Sequence, residues 1–224
     1  AMLAQRLHAP DLTVFFEAGG VAPQLPTMPI SVGDSRTFYR GLMATSMCDV
    51  METCQRGMMD YTFLGGAQID CHGNLNSSMI GDDYARPKVR FPGSGGANDL
   101  ASHAKKILII TRHEKRRFPE HCDYITSPGY IDGPEGRKKA GLPVPYPDIF
   151  VITDLTVMSI DKTRGRLQLD KLMPGVSFEQ VTENTAFKPL IGPEVATVQA
   201  PTERELDLLR NQVDPEGAYV KAPA

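Results

Sequence analysis

The run Lys88-Val89-Arg90-Phe91, the break Pro92-Gly93-Ser94-Gly95-Gly96-Ala97 and the run Ile107-Leu108-Ile109-Ile110-Thr111 decide the fold between them. An extended segment stops at Pro and Gly. A helix then opens near Ala97 with Leu100, Ala101 and Ala104 on one face, and residues 107–111 read as a fully apolar strand. Strands of that kind are covered on both faces in parallel sheets. The alternation continues outward. Upstream, residues 2–8 read as the end of a helix cut by Pro10, and residues 12–16 are a short run of β-formers. Met47, Val50, Met51 and Cys54 mark an amphipathic helix over residues 46–56 that Gly57 can end, and residues 61–64 read as the next strand. Downstream, residues 124–127 read as a strand and residues 128–147 as a loop. Residues 149–153 and 156–161 are close β runs, and the turn 162–165 leads into 166–172 as in a hairpin. Ser177-x-x-Gln180 and Thr202-x-x-Glu205 are capping boxes, so a helix starts at each, the second covering residues 203–212. The class is α/β: one domain over residues 1–224, an open, mostly parallel sheet with flanking helices and a β-rich C-terminal part.

Composition fits that class and excludes others. A chain of 224 residues buries enough surface to need no disulfide staples. With 20 Gly and 18 Pro it is rich in loops without reaching the level that marks disorder. The net charge of −3 gives no global attraction to nucleic acid or to an anionic membrane, so neither is an expected partner. No apolar run approaches a membrane helix, and no secretory signal is visible. Cys48, Cys54, Cys71 and Cys122 are too sparse for a disulfide scaffold, so a cytoplasmic location is expected. The pairs Cys71-His72 and His121-Cys122 lack the short spacing of a preformed zinc site; no metal is expected.

Two features could carry chemistry. Glu17 follows β-formers and precedes Gly19-Gly20, which would put its carboxylate at a strand end, where α/β sheets bind ligands. The turn Gly93-Ser94-Gly95-Gly96-Ala97 would expose backbone N–H groups at a helix start, a geometry suited to an oxyanion or phosphate. Each also has an ordinary reading, as a strand-end acid and as a structural turn.

Together with other segments they resemble the second (β) subunit of class I coenzyme A transferases, nearest to the glutaconate CoA-transferase type. The resembling stretches are Ala9-Pro10-Asp11 with Phe16-Glu17-Ala18-Gly19, Ser31-Val32-Gly33-Asp34, Gly65-Gly66-Ala67-Gln68-Ile69-Asp70 with Gly73-Asn74, and Pro87–Phe91 with Gly93–Asn98. His113–Phe118, Tyr124–Gly129, Ile131-Asp132-Gly133-Pro134 and Glu183-Asn184-Thr185 continue it, in order, to about residue 220.

The resemblance implies the CoA-transferase/sugar-phosphate isomerase-like fold. It also implies a heteromer with an α subunit that moves CoA between an acyl-CoA, of dicarboxylic type, and a free carboxylic acid. CoA is then a substrate and no cofactor stays bound. Glu17 takes the place of the family's nucleophilic glutamate, which becomes a glutamyl-CoA thioester, and Gly95, Gly96 and Ala97 match the family's oxyanion/CoA-binding loop. Gln68 and Asn98 are candidates for substrate contact, and Arg116, in the basic cluster with Arg112, Lys115 and Arg117, for a CoA phosphate. Related β subunits usually carry Asn or Ser between the glutamate and the glycine; this chain has Ala18. Branches that hydrolyse, decarboxylate or open rings lack the glutamate, so Glu17 favours transfer over those alternatives. A non-enzymatic α/β ligand-sensing or structural subunit is the remaining reading. Family β subunits place a helix and a glycine-containing strand before the segment matching residues 2–8, so residues upstream are expected, or a partner covering the sheet edge.

Overall fold

The computed structural model describes residues 1–220. The described residues divide into two compact units: Ala1–Glu52 with residues 200–220, and Thr53–Gln199.

The second unit is built on a six-stranded sheet. Its strands are β1 (Tyr61–Leu64), β2 (Lys106–Ile110), β3 (Asp148–Ile152), β4 (Thr156–Asp161), β5 (Arg166–Leu172) and β6 (Leu190–Thr197). They lie in the order β6-β5-β4-β3-β2-β1. The pairs β1/β2, β2/β3 and β5/β6 are parallel, while β3/β4 and β4/β5 are antiparallel. The sheet is therefore mixed and mostly parallel. Register sets the core: Leu64, Ile109 and Val151 stand abreast, as do Thr62, Ile107 and Ile149. With Met158, Ile160, Leu167 and Leu169 they form one buried face, against which Ala101, Ala104, Phe118, Tyr130, Val181 and Phe187 pack. Burying each large aliphatic side chain contributes about 1.5–3 kcal/mol.

The opposite face departs from expectation. Ile110 is 57% exposed, and Tyr61 and Phe63 on β1 are exposed too. The run 107–111 is thus buried on one face only, because the core of this unit lies on that face.

The local signals largely set the helices. Ser177 and Thr202 both form complete capping boxes with Gln180 and Glu205, opening helices Phe178–Glu183 and Glu203–Leu208. The second continues as a π turn, Leu209–Val213. Helix Met47–Gln55 buries Val50, Met51 and Cys54. It ends with Gly57 at φ +73°, the Gly57 N–H donating to Cys54 and the Met58 N–H to Thr53, a paired closure in which glycine accepts the left-handed conformation. Residues 124–127 do not form the expected strand. Ser127 alone bridges Leu75: the Thr126 and Ser127 N–H groups both donate to the Leu75 carbonyl, and the Thr126 carbonyl accepts from Asn98 Nδ2 instead of a strand partner.

Candidate active site

Glu17 belongs to the first unit and the glycine loop to the second. Each is described within its own unit.

Residues 12–16 do not enter a sheet as a strand; they form one arm of a tight hairpin. The Ala22 N–H donates to Val14 (2.8 Å), Phe16 to Gly20 (2.8 Å) and Gly19 to Phe16 (2.9 Å), and Phe15 bridges Val21. From Val14 to Phe16 the run pairs with the residues just after its own turn, while Leu12 donates to the Ala9 carbonyl and accepts from Gln5 Nε2. Glu17 and Ala18 form the tip, and Gly19 at φ +112° closes it, as in hairpins where a turn is followed by a glycine bulge. Glu17 is half-buried there.

The two glycines are dictated by close packing of backbone. A Cβ on Gly19 would lie 1.9 Å from the Thr45 carbonyl oxygen, and one on Gly20 would lie 2.0 Å from that of Thr37. Gly20–Val21 pairs antiparallel with Met43–Ala44, and the Thr45 N–H donates to the Gly19 carbonyl (2.9 Å). Next to Thr45, Ser46 and Asp49 cap helix Met47–Gln55 reciprocally: the Ser46 hydroxyl donates to Asp49 Oδ2 (2.7 Å), and the Asp49 N–H donates to Ser46 Oγ (3.2 Å). Hydrogen bonds from Thr45 and Ser46 hold the Asp49 carboxyl below the usual carboxylate range. The Glu17 turn is thus attached to a capped helix start.

In the second unit the glycine loop is held from below. The Gly93 N–H donates to the Ser77 carbonyl, and Ser77 Oγ donates to the Gly93 carbonyl, both at 2.9 Å. The Ala97 N–H donates to the Ser94 carbonyl (2.9 Å), closing the turn into helix Ala97–His103. Ala97's amide is therefore spent within the turn. Asn98 Nδ2 donates to the Thr126 carbonyl (2.8 Å), while Thr126 Oγ1 accepts the Ser77 N–H (2.9 Å) and pairs with Ser78 Oγ (2.8 Å). Gln68 is buried, its Oε1 accepting from Asn76 Nδ2 (2.7 Å) and from the Asp123 N–H (3.0 Å). Asn76 Oδ1 in turn accepts the Ser78 N–H (3.0 Å). One polar network therefore joins Gln68, Asn98 and the loop, and the two amides hold the turns around them.

The neighbouring motif residues are architectural. Buried Asp70 accepts from the N–H groups of His72 (2.9 Å) and Asn74 (3.1 Å) and from Asn74 Nδ2 (2.9 Å). Asn74 Oδ1 accepts from Gly129 (2.8 Å) and Ile131 (3.0 Å). Gly129 lies so close that a Cβ would fall 2.3 Å from the Gly73 carbonyl carbon. Burial pushes the Cys71 thiol up to about 12 and raises Cys122 as well, so neither is poised as a nucleophile. Arg116 points outward and pairs with Glu114 (2.6 Å), which Arg117 also approaches at 3.6 Å. Among the described residues no group of three His, Cys, Asp or Glu could hold a metal ion, and no helix is long and apolar enough to cross a membrane.

Two buried polar residues lie outside the site candidates that the sequence offers. His113 lies between the hydroxyls of Thr153 (3.0 Å) and Thr185 (2.9 Å) and stacks on Phe118. Burial lowers its pKa to about 4. Arg137, within the basic run Arg137-Lys138-Lys139, is fully buried on backbone carbonyls.

The coenzyme A transferase family model matches residues 3–184. The chain is 38% identical to the B subunit of glutaconate CoA-transferase from Acidaminococcus fermentans, with all of this chain and 85% of the relative covered. It is also 38% identical to the B subunit of 3-oxoadipate CoA-transferase from Pseudomonas knackmussii, covering 94% of this chain and 80% of that one. The crystal structure of the Acidaminococcus fermentans glutaconate CoA-transferase superposes with a TM-score of 0.91 at 37% identity, covering 99% of this chain and 86% of that one. By both sequence and fold, the chain belongs to the coenzyme A transferase family.

Proposed function

We propose that this chain is the glutamate-bearing β subunit of a heteromeric, cytoplasmic CoA-transferase, its two units working as one β-subunit domain with an α subunit. Its substrates are an acyl-CoA of dicarboxylic type and a free carboxylic acid. The observation that carries this reading is the placement of Glu17 at the tip of a glycine-closed hairpin, in a chain similar over all or nearly all of its length to the B subunits of two such transferases. Glutaconate and 3-oxoadipate, named for those relatives, are both dicarboxylates.

In the reaction a Glu17 carboxylate oxygen attacks the thioester carbonyl carbon, and the C–S bond breaks to give an acyl–glutamyl anhydride and CoA thiolate. The thiolate attacks the glutamyl carbonyl carbon and expels the acyl carboxylate, leaving a glutamyl-CoA thioester. A second carboxylate repeats the steps in reverse, takes CoA and frees Glu17. Splitting one exchange in this way is covalent catalysis by a carboxylate. Each tetrahedral oxyanion needs donors. The loop Gly95-Gly96-Ala97 is assigned that role, and within it the Ala97 N–H is taken by Ser94. Water has to be excluded, because both intermediates hydrolyse; the α subunit supplies the remaining wall. Gln68 and Asn98 act on substrate indirectly, through the turns they hold, and Arg116 is available at the surface for a CoA phosphate. No resident cofactor enters the cycle.

Reconstituted two-subunit enzyme, mixed with candidate acyl-CoAs and acceptor acids, tests the reading. Acceptor-dependent formation of a new acyl-CoA supports transfer. Consumption of thioester with release of free acid, independent of acceptor, assigns the chain to the hydrolytic branch instead.

A further inference from the structure

Arg137 has none of its surface exposed. It lies in the short helix Gly136–Lys139, and its hydrogen-bond partners are all backbone carbonyls. Nε donates to Val144 (2.7 Å), Nη1 to Pro128 (2.9 Å) and Gly129 (3.1 Å), and Nη2 to Ala101 (3.0 Å) and Ser102 (3.0 Å). A guanidinium offers five N–H donors in a rigid fork, so the set is saturated. Burial pulls the group down to about 10, which leaves it charged at neutral pH. Taking a charge out of water with no counter-ion is costly, and the position of its acceptors indicates what that cost supports.

Ala101 and Ser102 belong to the last turn of helix Ala97–His103. Carbonyls there lack donors from their own helix, and the helix dipole favours a cation. At the other end of the same helix, Asn98 donates to the Thr126 carbonyl, two residues before Pro128. The helix is tied to the 126–129 segment at both ends, by Asn98 and by Arg137. Seven residues are too few to hold a helix in place alone. Its placement, and that of the Gly93–Ala97 turn leading into it, therefore depends on these ties together with the packing of Ala101 on the core. Gly136 brings Arg137 in close: a Cβ there would lie 2.4 Å from the Tyr130 carbonyl oxygen.

We propose that Arg137 is a positioning residue for CoA transfer: by clamping the end of helix Ala97–His103 onto the 128–129 segment, it fixes the conformation of the glycine loop. This rests on the role assigned to that loop above. Lys cannot replace it, because a single ammonium reaches few of five carbonyls arranged for a fork.

The test uses the assembled two-subunit enzyme carrying Arg137→Ala or Arg137→Lys, with Leu169→Ala as a control that weakens the sheet core away from the clamp. At temperatures where all remain folded, both Arg137 variants lose kcat by about 100-fold, the scale of a ~1 Å misplacement, with KM for acyl-CoA unchanged. Methylguanidinium restores part of the lost kcat to Arg137→Ala and none to Arg137→Lys, and Leu169→Ala keeps its kcat. Hydrogen exchange accelerates selectively in residues 93–104 and 126–131 of the Arg137 variants. A kcat loss no larger than that of Leu169→Ala, or exchange that rises uniformly along the chain, overturns the proposal. If wild-type enzyme transfers no CoA, the function assigned above fails, while the exchange pattern still judges the clamp. If neither variant folds, exchange of the wild type decides: residues 97–104 and 126–131 opening together uphold the clamp, and opening independently contradicts it.

Discussion

Gly19→Ala tests whether backbone contact with Thr45 positions the Glu17 turn. The added Cβ would start 1.9 Å from the Thr45 carbonyl oxygen, and real Cβ contacts stay at 3.0 Å or more. The turn and Thr45 must therefore separate by about 1 Å, a displacement that can cost ~100-fold in rate when it reaches the attacking group. That separation also strains two hydrogen bonds, Thr45 N–H to Gly19 and Gly19 N–H to Phe16, each worth about 1 kcal/mol net. Alanine at φ +112° adds a backbone penalty of about 1–3 kcal/mol, for a total near 3–5 kcal/mol. Gly57→Ala is the matched control. Its φ of +73° carries a similar penalty, about 1–2 kcal/mol, but nothing lies within 4 Å of the new Cβ. The assay pairs urea unfolding with CoA-transfer rates of the assembled enzyme. Gly57→Ala should lose stability and keep its rate; Gly19→Ala should lose both. Wild-type turnover in a folded Gly19→Ala enzyme would refute the claim that this backbone contact positions Glu17.

His113 makes stability depend on pH. Its folded pKa near 4 lies below the ~6.5 of an unfolded histidine, so the unfolded chain takes the proton first. The contribution is full above about pH 6.5 and is lost as pH falls toward 4, about 2 kcal/mol of it by pH 5; His113→Gln should flatten the urea midpoint between pH 7 and 5, and an unchanged slope would count against it. Ser177→Ala and Thr202→Ala each remove a capping box and should cost about 1 kcal/mol, adding in the double mutant because the two sites share no hydrogen-bond partner. Asp70→Ala strips the acceptor from the His72 and Asn74 amides; each bond to a charged group is worth about 1.5–3 kcal/mol, so the variant should unfold at clearly lower urea, and an unchanged midpoint would contradict the structural role of this motif.

Elements set by local chemistry could be read from the sequence. The capping boxes at Ser177 and Thr202, the Gly57 helix stop and the hairpin turn between β4 and β5 all depend on residues within a few positions of one another. The buried strand faces also follow, because alternation fixes which residues point inward. The failures have two causes: the run 107–111 is apolar throughout, so its composition does not show that the core covers one face only, and two other segments lack the strand partners their composition suggests. Residues 12–16 and 124–127 have strand-like composition, but their partners are a turn a few residues away or groups some fifty residues distant. Arg137 carries no signal in the sequence because its five acceptors are backbone carbonyls, which leave no mark in side-chain sequence. At the candidate site, the sequence nominates Glu17 and the glycine loop. The spending of Ala97's amide within the turn, and the inward commitment of Gln68, depend on three-dimensional pairing.

The central claim is covalent chemistry at Glu17, and intact-mass measurement of this chain tests it most directly. The assembled enzyme is incubated with acyl-CoA in the absence of an acceptor acid, then denatured and weighed. The account predicts a gain of one CoA less one water, located on Glu17 by peptide mapping, absent in Glu17→Gln and nearly absent in Glu17→Asp. Thioester consumed with free acid released and no CoA on the chain, or an adduct that survives Glu17→Gln, would contradict it.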